Sequence, residues 1–306
     1  MKSIAIIFAL LFAQTVFAKP VELILNWKAE PEFGGFYAAQ IQNLYQKYGI
    51  DVKVVEGGSG TPTVQMLANG KADFAIVSAD EIILSQDRNK KNKVKALFAV
   101  YQTAPYIIMT HQERGFKTLK DVFQSDGLLS VQSGLPYFPY LVKKFGKPKA
   151  QVVPYTGGVA NFIKDSKFSQ QGFATTEPIA AEKAGAKIKN FLIADEGFNP
   201  YLVVLATTEE VIKKNPELVE KMVRGSKDGW NFYLQNPKSI NEHMAKLNKS
   251  LDLDTHNKAA EIQKPFIEVK GVEVGSMSEE RWTTLVNQLY DLGLIKTKPS
   301  AKDLVR

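Results

Sequence analysis

Residues 21–50, VELILNWKAEPEFGGFYAAQIQNLYQKYGI, decide the fold. They open with a short apolar run, 21–25, that is typical of a buried strand, and the run breaks at the Asn-Trp-Lys triplet into a loop. Beyond the loop, large apolar side chains recur three and four positions apart, which predicts one helix that Gly49 ends. The residues of this stripe are Phe33, Phe36, Tyr37, Ile41, Leu44, Tyr45 and Tyr48. A strand, an aromatic loop and a helix opening toward it form one wall of a binding cleft.

Outward from this stretch, short apolar runs alternate with helical patterns along most of the chain. Strands are predicted at residues 52–55, 71–77, 94–101, 106–110, 128–131, 152–154, 172–177, 191–194 and 201–206. Beyond residue 207 the pattern turns helical, with apolar stripes over 216–234 and 280–292. Strands that alternate with helices in this way are typical of α/β proteins.

A short polar interruption, Gln102-Thr103-Ala104-Pro105, separates two of the predicted strands. We interpret it as the crossing from a first lobe to a second, and the run at 201–206 as the return. The predicted parts are a signal peptide at 1–18, the first part of lobe 1 at 19–103, lobe 2 at 104–206 and a helical part at 207–306 that returns to lobe 1. The chain has no Gly/Ser-rich linker, so we expect strands to join the lobes.

The N-terminal residues 1–18 have the features of a secretory signal peptide. A lysine precedes a short apolar stretch, and the small residue Ala18 stands where cleavage would occur. The apolar stretch is too short to span a bilayer. The chain contains no cysteine, whereas a lipid-anchored exported protein needs one just after the cleavage site. We therefore expect a periplasmic protein that is not lipid-anchored.

Composition argues against nucleic-acid binding and against several kinds of enzyme. The formal charge of +7 becomes +6 when Lys2 is removed with the signal peptide. The lysines are scattered along the sequence and are not concentrated on one helix, as a nucleic-acid-binding surface would require. The three histidines lie far from one another, and without cysteine no thiolate or cysteine–metal chemistry is available. No paired carboxylates stand out by spacing. The sequence therefore favours a binding protein, with no metal and no cofactor expected.

Two polar residues and one glycine-rich turn fall where ligands usually bind in open α/β sheets. Ser78 and Asp80 follow the apolar run 71–77, at the carboxyl end of a predicted strand. An alternative role for Asp80 is to cap a helix over 81–87. The turn at 56–62 is glycine-rich but lacks a phosphate-loop pattern, so we interpret it as a tight turn that allows close backbone approach.

Five segments together resemble a type II periplasmic substrate-binding protein of an ABC importer. They are LILNWKAEPEFGGFYAAQ (23–40), KYGIDVKVVEGG (47–58), MLANGKADFAIVSADE (66–81), FATTEPIAAEKAG (173–185) and VVLATTEEVIKKNPELVEKM (203–222). More narrowly, the chain is similar to the family that joins binding proteins for thiamine pyrimidine precursors (hydroxymethylpyrimidine, formylaminopyrimidine) to the yeast-type pyrimidine synthases. Sulfonate and nitrate binding proteins are wider relatives. The resemblance implies two Rossmann-like lobes joined by a two-strand hinge, with the ligand cleft between them.

The resemblance also implies site residues, carried over by position. From the first lobe these are Asn26, Trp27, Phe33, Phe36, Tyr37, Ser78 and Asp80. From the second lobe they are Ser133, Gly134, Tyr155, Thr156, Gly157, Gly158 and Glu177. Trp27 would stack on the ligand ring, and Glu177 would accept hydrogen bonds from an exocyclic amine and a ring N–H of a pyrimidine. Ordinary core packing is the alternative for Trp27, and it is a stronger alternative for Phe36 and Tyr37, because a helical aromatic stripe is usually packing.

The function that the resemblance implies is capture of a small solute and its delivery to an ABC permease by a monomer, without catalysis. A thiamine pyrimidine precursor is the leading ligand; an aliphatic sulfonate, nitrate or another small organic solute is the alternative, and docking to a sensory receptor stays open. A pyrimidine synthase is the alternative of a different class. The missing cysteines, and Phe33-Gly34 where that family often has a histidine, disfavour it.

Overall fold

The computed structural model describes residues 20–58, 60–88 and 91–306, so the predicted signal peptide at 1–18 lies outside the described residues. The elements of the first part are β1 (Val21–Ile24), α1 (Gly34–Ile41), β2 (Val52–Val55), α2 (Thr63–Ala68), β3 (Phe74–Val77), α3 (Ala79–Arg88) and β4 (Val94–Tyr101). Next come β5 (Tyr106–His111), α4 (Leu119–Phe123), β6 (Leu128–Val131), α5 (Tyr137–Phe145), β7 (Gln151–Pro154), α6 (Ala160–Lys164), β8 (Phe168–Phe173), α7 (Glu177–Lys183) and β9 (Ile188–Leu192). The last are β10 (Leu202–Thr208), α8 (Glu209–Lys214), α9 (Pro216–Gln235), α10 (Lys238–Leu247), α11 (Leu253–Ile267) and α12 (Glu279–Asp291).

The first sheet has the strand order β2-β1-β3-β10-β4. β1 runs parallel to β2 and β3, with Leu23 opposite both Val54 and Phe74, whereas β10 runs antiparallel to β3 and β4. All four residues of β3 are buried, as expected for a strand that is covered on both faces. We call this sheet, with the helices that pack on it, the first lobe.

The second sheet has the order β7-β6-β8-β5-β9. β6 runs parallel to β7 and β8, and β5 runs antiparallel to β8 and β9. Because β6 and β7 are parallel neighbours, the loops that follow them emerge side by side at one edge of the sheet. We call this sheet and its helices the second lobe.

The chain passes between the two sheets twice. β4 ends at Tyr101 in the first sheet and β5 begins at Tyr106 in the second, so residues 102–105 form the first crossing. The second crossing follows the 3-10 turn Ile193–Glu196 and ends where β10 begins at Leu202. β10 itself pairs within the first sheet, between β3 and β4.

The opening helix is shorter than the sequence predicts. α1 ends at Ile41, Asn43 adopts a left-handed conformation with φ 57°, and residues 46–48 form a separate 3-10 turn before Gly49 at φ 75°. Asparagine is one of the few side chains that tolerate this backbone region. The stripe of apolar residues is therefore divided between a helix and a turn, and the prediction of one helix through Tyr48 was wrong.

Two glycines at the start of α1 allow close packing against α9. A Cβ on Gly34 would lie 2.1 Å from the ring of Tyr233, and one on Gly35 would lie 2.2 Å from the ring of Trp230. The Trp230 ring also meets Phe36 edge-on at 5.8 Å. α9 and α12 confirm the helical stripes predicted near the C-terminus. Within the described residues no helix has the length and apolar character needed to cross a membrane.

Candidate ligand-binding site

The loop after β1 presents Trp27 at the surface. Its side chain is 39% exposed, so the alternative of a core tryptophan is wrong. The indole Nε1 donates to Glu30 Oε1 at 3.1 Å, and the carbonyl of Trp27 accepts from the N–H of Gly57 at 2.9 Å. A ring that is exposed yet held at its edge and at its backbone is a suitable surface for stacking a flat ligand.

The glycine-rich turn after β2 supports this loop from behind. A Cβ on Gly57 would lie 2.1 Å from the carbonyl oxygen of Leu25, so only glycine allows the approach. Glu56 Oε1 accepts from the N–H of Ala29 at 2.8 Å. The turn thus has the close-approach role that the sequence indicated.

Three of the predicted first-lobe residues are core residues. Phe33 and Phe36 are 0% exposed and Tyr37 is 1% exposed, and all pack among the buried side chains of the first lobe. The packing role considered for Phe36 and Tyr37 is therefore confirmed, while direct ligand contact stays a prediction. The Tyr37 hydroxyl is buried without a hydrogen-bond partner. Burial, and then the charge of Glu56, raise the pKa of this phenol.

Ser78 and Asp80 lie at the carboxyl end of β3, where the cleft was predicted. The N–H and hydroxyl of Ser78 both donate to Glu81 Oε2, at 2.8 and 3.0 Å. α3 begins at Ala79, so Asp80 lies inside its first turn, and the alternative of a capping role for Asp80 was wrong. Asp80 is 3% exposed and its Oδ1 has no partner. Burial, reinforced by the charge of Glu81, raises the pKa of Asp80 to about 6.

In the second lobe, Glu177 is the first residue of α7 and accepts two hydrogen bonds. The Tyr155 hydroxyl donates to Oε1 at 2.5 Å, and the N–H of Phe173 donates to Oε2 at 2.7 Å. Burial raises the pKa of Glu177, although both hydrogen bonds act in the opposite direction. The structure thus joins two of the predicted residues, Tyr155 and Glu177, directly.

The other predicted second-lobe residues lie on two exposed loops. They are Ser133 and Gly134 after β6, and Thr156, Gly157 and Gly158 after β7. The N–H of Tyr155 donates to the carbonyl of Val131 at 3.0 Å, and Gln170 Nε2 donates to the carbonyl of Gly158 at 3.0 Å. The parallel pairing of β6 and β7 brings both loops to the same sheet edge.

Two acids of the Trp27 loop were missed by the sequence reasoning. Glu30 is 8% exposed, and Asn248 Nδ2 also donates to its Oε1, at 3.3 Å. Burial, together with the charge of Glu177 in the other lobe, raises the pKa of Glu30 to about 7. Burial and the charges of Glu30 and Glu177 raise the pKa of Glu32. The signal that could have found them is the Ala-Glu-Pro-Glu sequence directly after the exposed tryptophan.

An aromatic cluster at the first crossing was also missed. The ring of Phe173 meets Tyr106 edge-on at 5.3 Å and Tyr101 at 6.1 Å, and Tyr106 lies 5.6 Å from Tyr137. Tyr101 is in the first sheet and Phe173 in the second, so the cluster lies where the lobes meet. The Tyr101 hydroxyl donates to Gln263 Oε1 at 2.9 Å.

Two surface depressions lie away from this region. One is lined by Gln235, Asn236, Pro237, Lys238, Ser239 and Glu242, and the other by Ile50, Lys214, Asn215, Pro216, Glu217, Leu218 and Lys221. Neither contains a predicted site residue. In residues 20–58, 60–88 and 91–306, no three His, Cys, Asp or Glu side chains are grouped as metal ligands would be.

Comparison with known proteins gives one family match and several relatives. The model of the NMT1/THI5-like family matches residues 30–240. The riboflavin-binding protein RibY of Chloroflexus aurantiacus is 25% identical over 71% of this chain and 63% of that protein, so the chain spans less than two thirds of its length. The 4-amino-5-hydroxymethyl-2-methylpyrimidine phosphate synthase THI11 of Saccharomyces cerevisiae is 22% identical over 71% of this chain and 68% of the yeast protein.

Among solved structures, the periplasmic aliphatic sulphonate binding protein SsuA of Escherichia coli superposes with a TM-score of 0.71. It shares 13% sequence identity and covers 94% of this chain and 92% of its own. At that identity the likeness shows the fold alone. It confirms the two-lobed type II periplasmic binding protein fold predicted from the sequence. The match over residues 30–240 confirms the family resemblance.

Proposed function

The chain belongs to the NMT1/THI5-like family, and on that premise we propose that it is an exported solute-binding protein. It captures a small molecule between its two lobes and delivers it to an ABC permease, acting as a monomer in the periplasm after removal of residues 1–18. The predicted division into lobe 1 (19–103), lobe 2 (104–206) and a returning helical part (207–306) belongs to the same proposal, except that residues 202–206 go to lobe 1 because β10 pairs within the first sheet.

The single observation that carries this proposal is that the end of the Trp27 loop and α7, which Glu177 begins, both pack against α11. Gln263 Nε2 of α11 donates to the carbonyl of Pro31 at 3.0 Å, and Lys183 of α7 donates to Thr255 of α11 at 2.8 Å. A ligand placed here would touch both lobes. It would then bind the closed form better than the open form and shift the population toward closure.

For the ligand we propose a thiamine pyrimidine precursor. Glu177 offers a carboxylate to a ring N–H and an exocyclic amine, and Trp27 offers a face for stacking. Asp80, with its unpartnered Oδ1, supplies a further acceptor. An aliphatic sulfonate, nitrate or another small organic solute is the alternative, and an anion would need cationic groups at the site.

We propose binding without catalysis. RibY and SsuA are binding proteins, whereas the yeast relative is a synthase. This chain has no cysteine, and Phe33 stands where the synthase-like branch of the family often has a histidine. Phe33 is also fully buried, so it offers no reactive group to a ligand.

A thermal-shift screen of the protein lacking residues 1–18 tests the proposal. The panel contains aminopyrimidines, thiamine, riboflavin, aliphatic sulfonates and nitrate. We expect aminopyrimidines to stabilise the protein, by about 2.7 kcal/mol at a hundredfold excess over Kd. Stabilisation by sulfonates or nitrate alone would overturn the pyrimidine ligand. Stabilisation by no member would remove the support for solute binding by this cleft.

A further inference from the structure

The loop that carries Trp27 is held from the C-terminal part of the chain at successive positions. His256 Nε2 lies 3.4 Å from the carbonyl oxygen of Ala29. Asn248 Nδ2 donates to Glu30 Oε1 at 3.3 Å, and α11 also binds the carbonyl of the next loop residue. Asn248 and His256 are 4% and 0% exposed. Because buried polar side chains keep defined partners, these contacts fix the position of the loop.

Glu30 connects Asn248 to the exposed indole ring. Its Oε1 accepts from Trp27 Nε1 at 3.1 Å as well as from the Asn248 amide. Asn248 Oδ1 in turn accepts from the N–H and the hydroxyl of Ser250, which orients the amide. The orientation of the ring therefore depends on a buried side chain from a distant part of the sequence.

The second lobe binds the same segment through one lysine. Lys183 Nζ donates to Asp252 Oδ1 at 2.8 Å and to Thr255 Oγ1 at 2.8 Å. Asp252 is the N-cap of α11, and its carbonyl oxygen lies 2.9 Å from His256 Nδ1. Asp252 therefore binds the second lobe through its side chain and His256 through its backbone.

α7 carries both this lysine and a proposed ligand-binding residue. Glu177 begins the helix and Lys183 ends it, and the helix packs on β8 and β9 of the second sheet. At 1.5 Å per residue it is about 10 Å long. A ligand at Glu177 and α11 at Lys183 therefore act on the same short, rigid element.

We propose that Asn248 and His256 are positioning residues, which set the Trp27 ring for stacking, and that Lys183 completes this arrangement only when the lobes are closed. This inference rests on the proposed function and adds to it a link between the ring and the closed form. A ligand that stacks on a firmly held ring favours closure. Closure in turn favours the firmly held ring, because coupling of this kind is reciprocal.

The weakest step of the link is the one between the lobes. The side chains of Lys183 and Asp252 are 34% and 65% exposed, so their ion pair breaks at little cost in water. Asn248 and His256 are buried and bind only residues of the first sheet's side of the cleft. Opening of the lobes therefore removes the restraint from α7 and leaves the loop attached but less firmly held.

Acrylamide quenching of fluorescence measures how Trp27 is held, without any ligand. The chain has three tryptophans, and Trp230 and Trp282 are 0% and 1% exposed, so the quencher reaches mainly Trp27. We expect Lys183→Met to raise the quenching constant by roughly 1.5-fold or more, because a loop with fewer tertiary restraints opens more often. Lys213→Met, which breaks an exposed pair inside α8, should leave the constant unchanged.

A second substitution separates the link from simple opening of the cleft. His256→Asn keeps an amide near the Asp252 carbonyl but is too short to reach Ala29. It should raise the quenching constant by itself, and Lys183→Met should then add little, since the link is already broken. His256→Gln, whose amide can reach Ala29, should restore the effect of Lys183→Met. Asn248→Ala provides a second background in which that effect should be reduced.

Two quenching results would overturn the inference. They are an unchanged constant in Lys183→Met, and an effect of Lys183→Met that simply adds to that of His256→Asn, since opening alone would then expose the ring. Calorimetry with 4-amino-5-hydroxymethyl-2-methylpyrimidine extends the test to binding. Lys183→Met should weaken affinity about threefold, and in the His256→Asn background it should not. A probe that binds none of these proteins would contradict the pyrimidine ligand, whereas the quenching results would still decide the inference.

Discussion

The guanidinium of Arg281 binds both the backbone and the side chain of Asn199. Nε donates to the Asn199 carbonyl at 2.7 Å and Nη2 donates to Asn199 Oδ1 at 3.0 Å. Nη1 donates to the carbonyl of Gln102 at 2.5 Å, and Nη2 also donates to that of Pro200 at 2.8 Å. The group stacks on the ring of Tyr201, 3.8 Å from its centre. One side chain of α12 therefore ties together both crossings between the lobes.

Replacement of Arg281 should destabilise the protein. Arg281→Lys keeps the charge but cannot place donors on Gln102 and Asn199 together, because only the planar guanidinium has that geometry. We expect the free energy of unfolding to fall by about 2–4 kcal/mol. The measurement is urea denaturation. Arg224→Lys, at an exposed arginine of α9 paired with Glu220, is the matched control and should change little. An equal loss of unfolding free energy in Arg281→Lys and Arg224→Lys would contradict the proposed role of Arg281 in joining the two crossings.

Truncation of Trp27 should separate binding from stability. Because 39% of the side chain is exposed, Trp27→Ala should lower the free energy of unfolding by less than about 1 kcal/mol. Affinity for the ligand that the screen identifies should fall roughly tenfold or more, since the stacking face is lost. Tyr290→Ala, at an aromatic residue that is 44% exposed on α12, serves as the control. Retained affinity in Trp27→Ala would remove the loop from the site.

Removal of the Tyr155 hydroxyl should change the ionisation of Glu177. The hydrogen bond from Tyr155 stabilises the carboxylate and so lowers the pKa of Glu177 against the effect of burial. Tyr155→Phe should therefore raise this pKa further, which carbon-13 NMR titration of the carboxyl group can follow. Tyr140→Phe removes a hydroxyl that donates to the carbonyl of Glu196 and should leave Glu177 unchanged. A lower pKa in Tyr155→Phe would contradict the observed hydrogen bond.

Asp80 should make the stability of the protein depend on pH. Burial raises its pKa from 3.8 to about 6 in the folded state, so the folded protein binds the proton more tightly than the unfolded chain. The resulting stability is fully present below about pH 4 and is lost as pH rises through 6. Asp80→Asn removes the charge and should raise the free energy of unfolding at pH 7.5 by on the order of 1–3 kcal/mol.

The control for Asp80 is the same comparison at low pH. At about pH 3 the carboxyl is mostly protonated in both states, so Asp80→Asn and the unchanged protein should be about equally stable. Urea denaturation at several pH values between 3 and 8 measures the difference. A difference that does not grow over this range would show that Asp80 is not the group responsible.

Lys183 should hold the lobes together through ion pairs. Its Nζ lies 2.8 Å from Asp252 Oδ1 and 2.8 Å from Asp254 Oδ2, and it donates to Thr255 Oγ1 at 2.8 Å. Lys183 is on α7 beside the second sheet, whereas the acceptors lie at the start of α11, which contacts the 3-10 turn Pro31–Phe33 before α1. Because these acids are exposed, loss of the ion pairs should lower the free energy of unfolding by less than about 1 kcal/mol. The closed arrangement of the two lobes should nevertheless become less favoured.

Scattering of Lys183→Met should show a larger radius of gyration than that of the unchanged protein. Lys213→Met, which breaks an exposed pair with Glu209 inside α8, is the control and should leave the radius unchanged. Salt should reduce the difference, because it screens exposed charges. An unchanged radius in Lys183→Met at low salt would show that the pair does not restrain the lobes.

Much of the fold could be predicted because local patterns reflect it. The apolar run of β3 reads as a buried strand, and the break after β1 left Trp27 outside the core. The length of the helix after that loop was overestimated. The spacing of apolar residues does not reveal the left-handed backbone at Asn43, which follows the end of the helix. The spacing of apolar residues also could not show whether Phe36 contacts a ligand or α9. The structure shows that Phe36 packs against Trp230 of α9.

The sequence by itself determined two α/β lobes, the crossing at 102–105 and a cleft at strand ends, because alternation of strands and helices fixes where carboxyl ends of strands gather. Only the tertiary structure decided which polar groups meet. Trp27 and Asn248 donate to Glu30, Arg281 binds the carbonyls of Gln102 and Asn199, and Asp80 Oδ1 is left without a partner. The physical reason is that a local pattern indicates burial, whereas the neighbours of a buried polar group come from distant segments and depend on how the lobes pack.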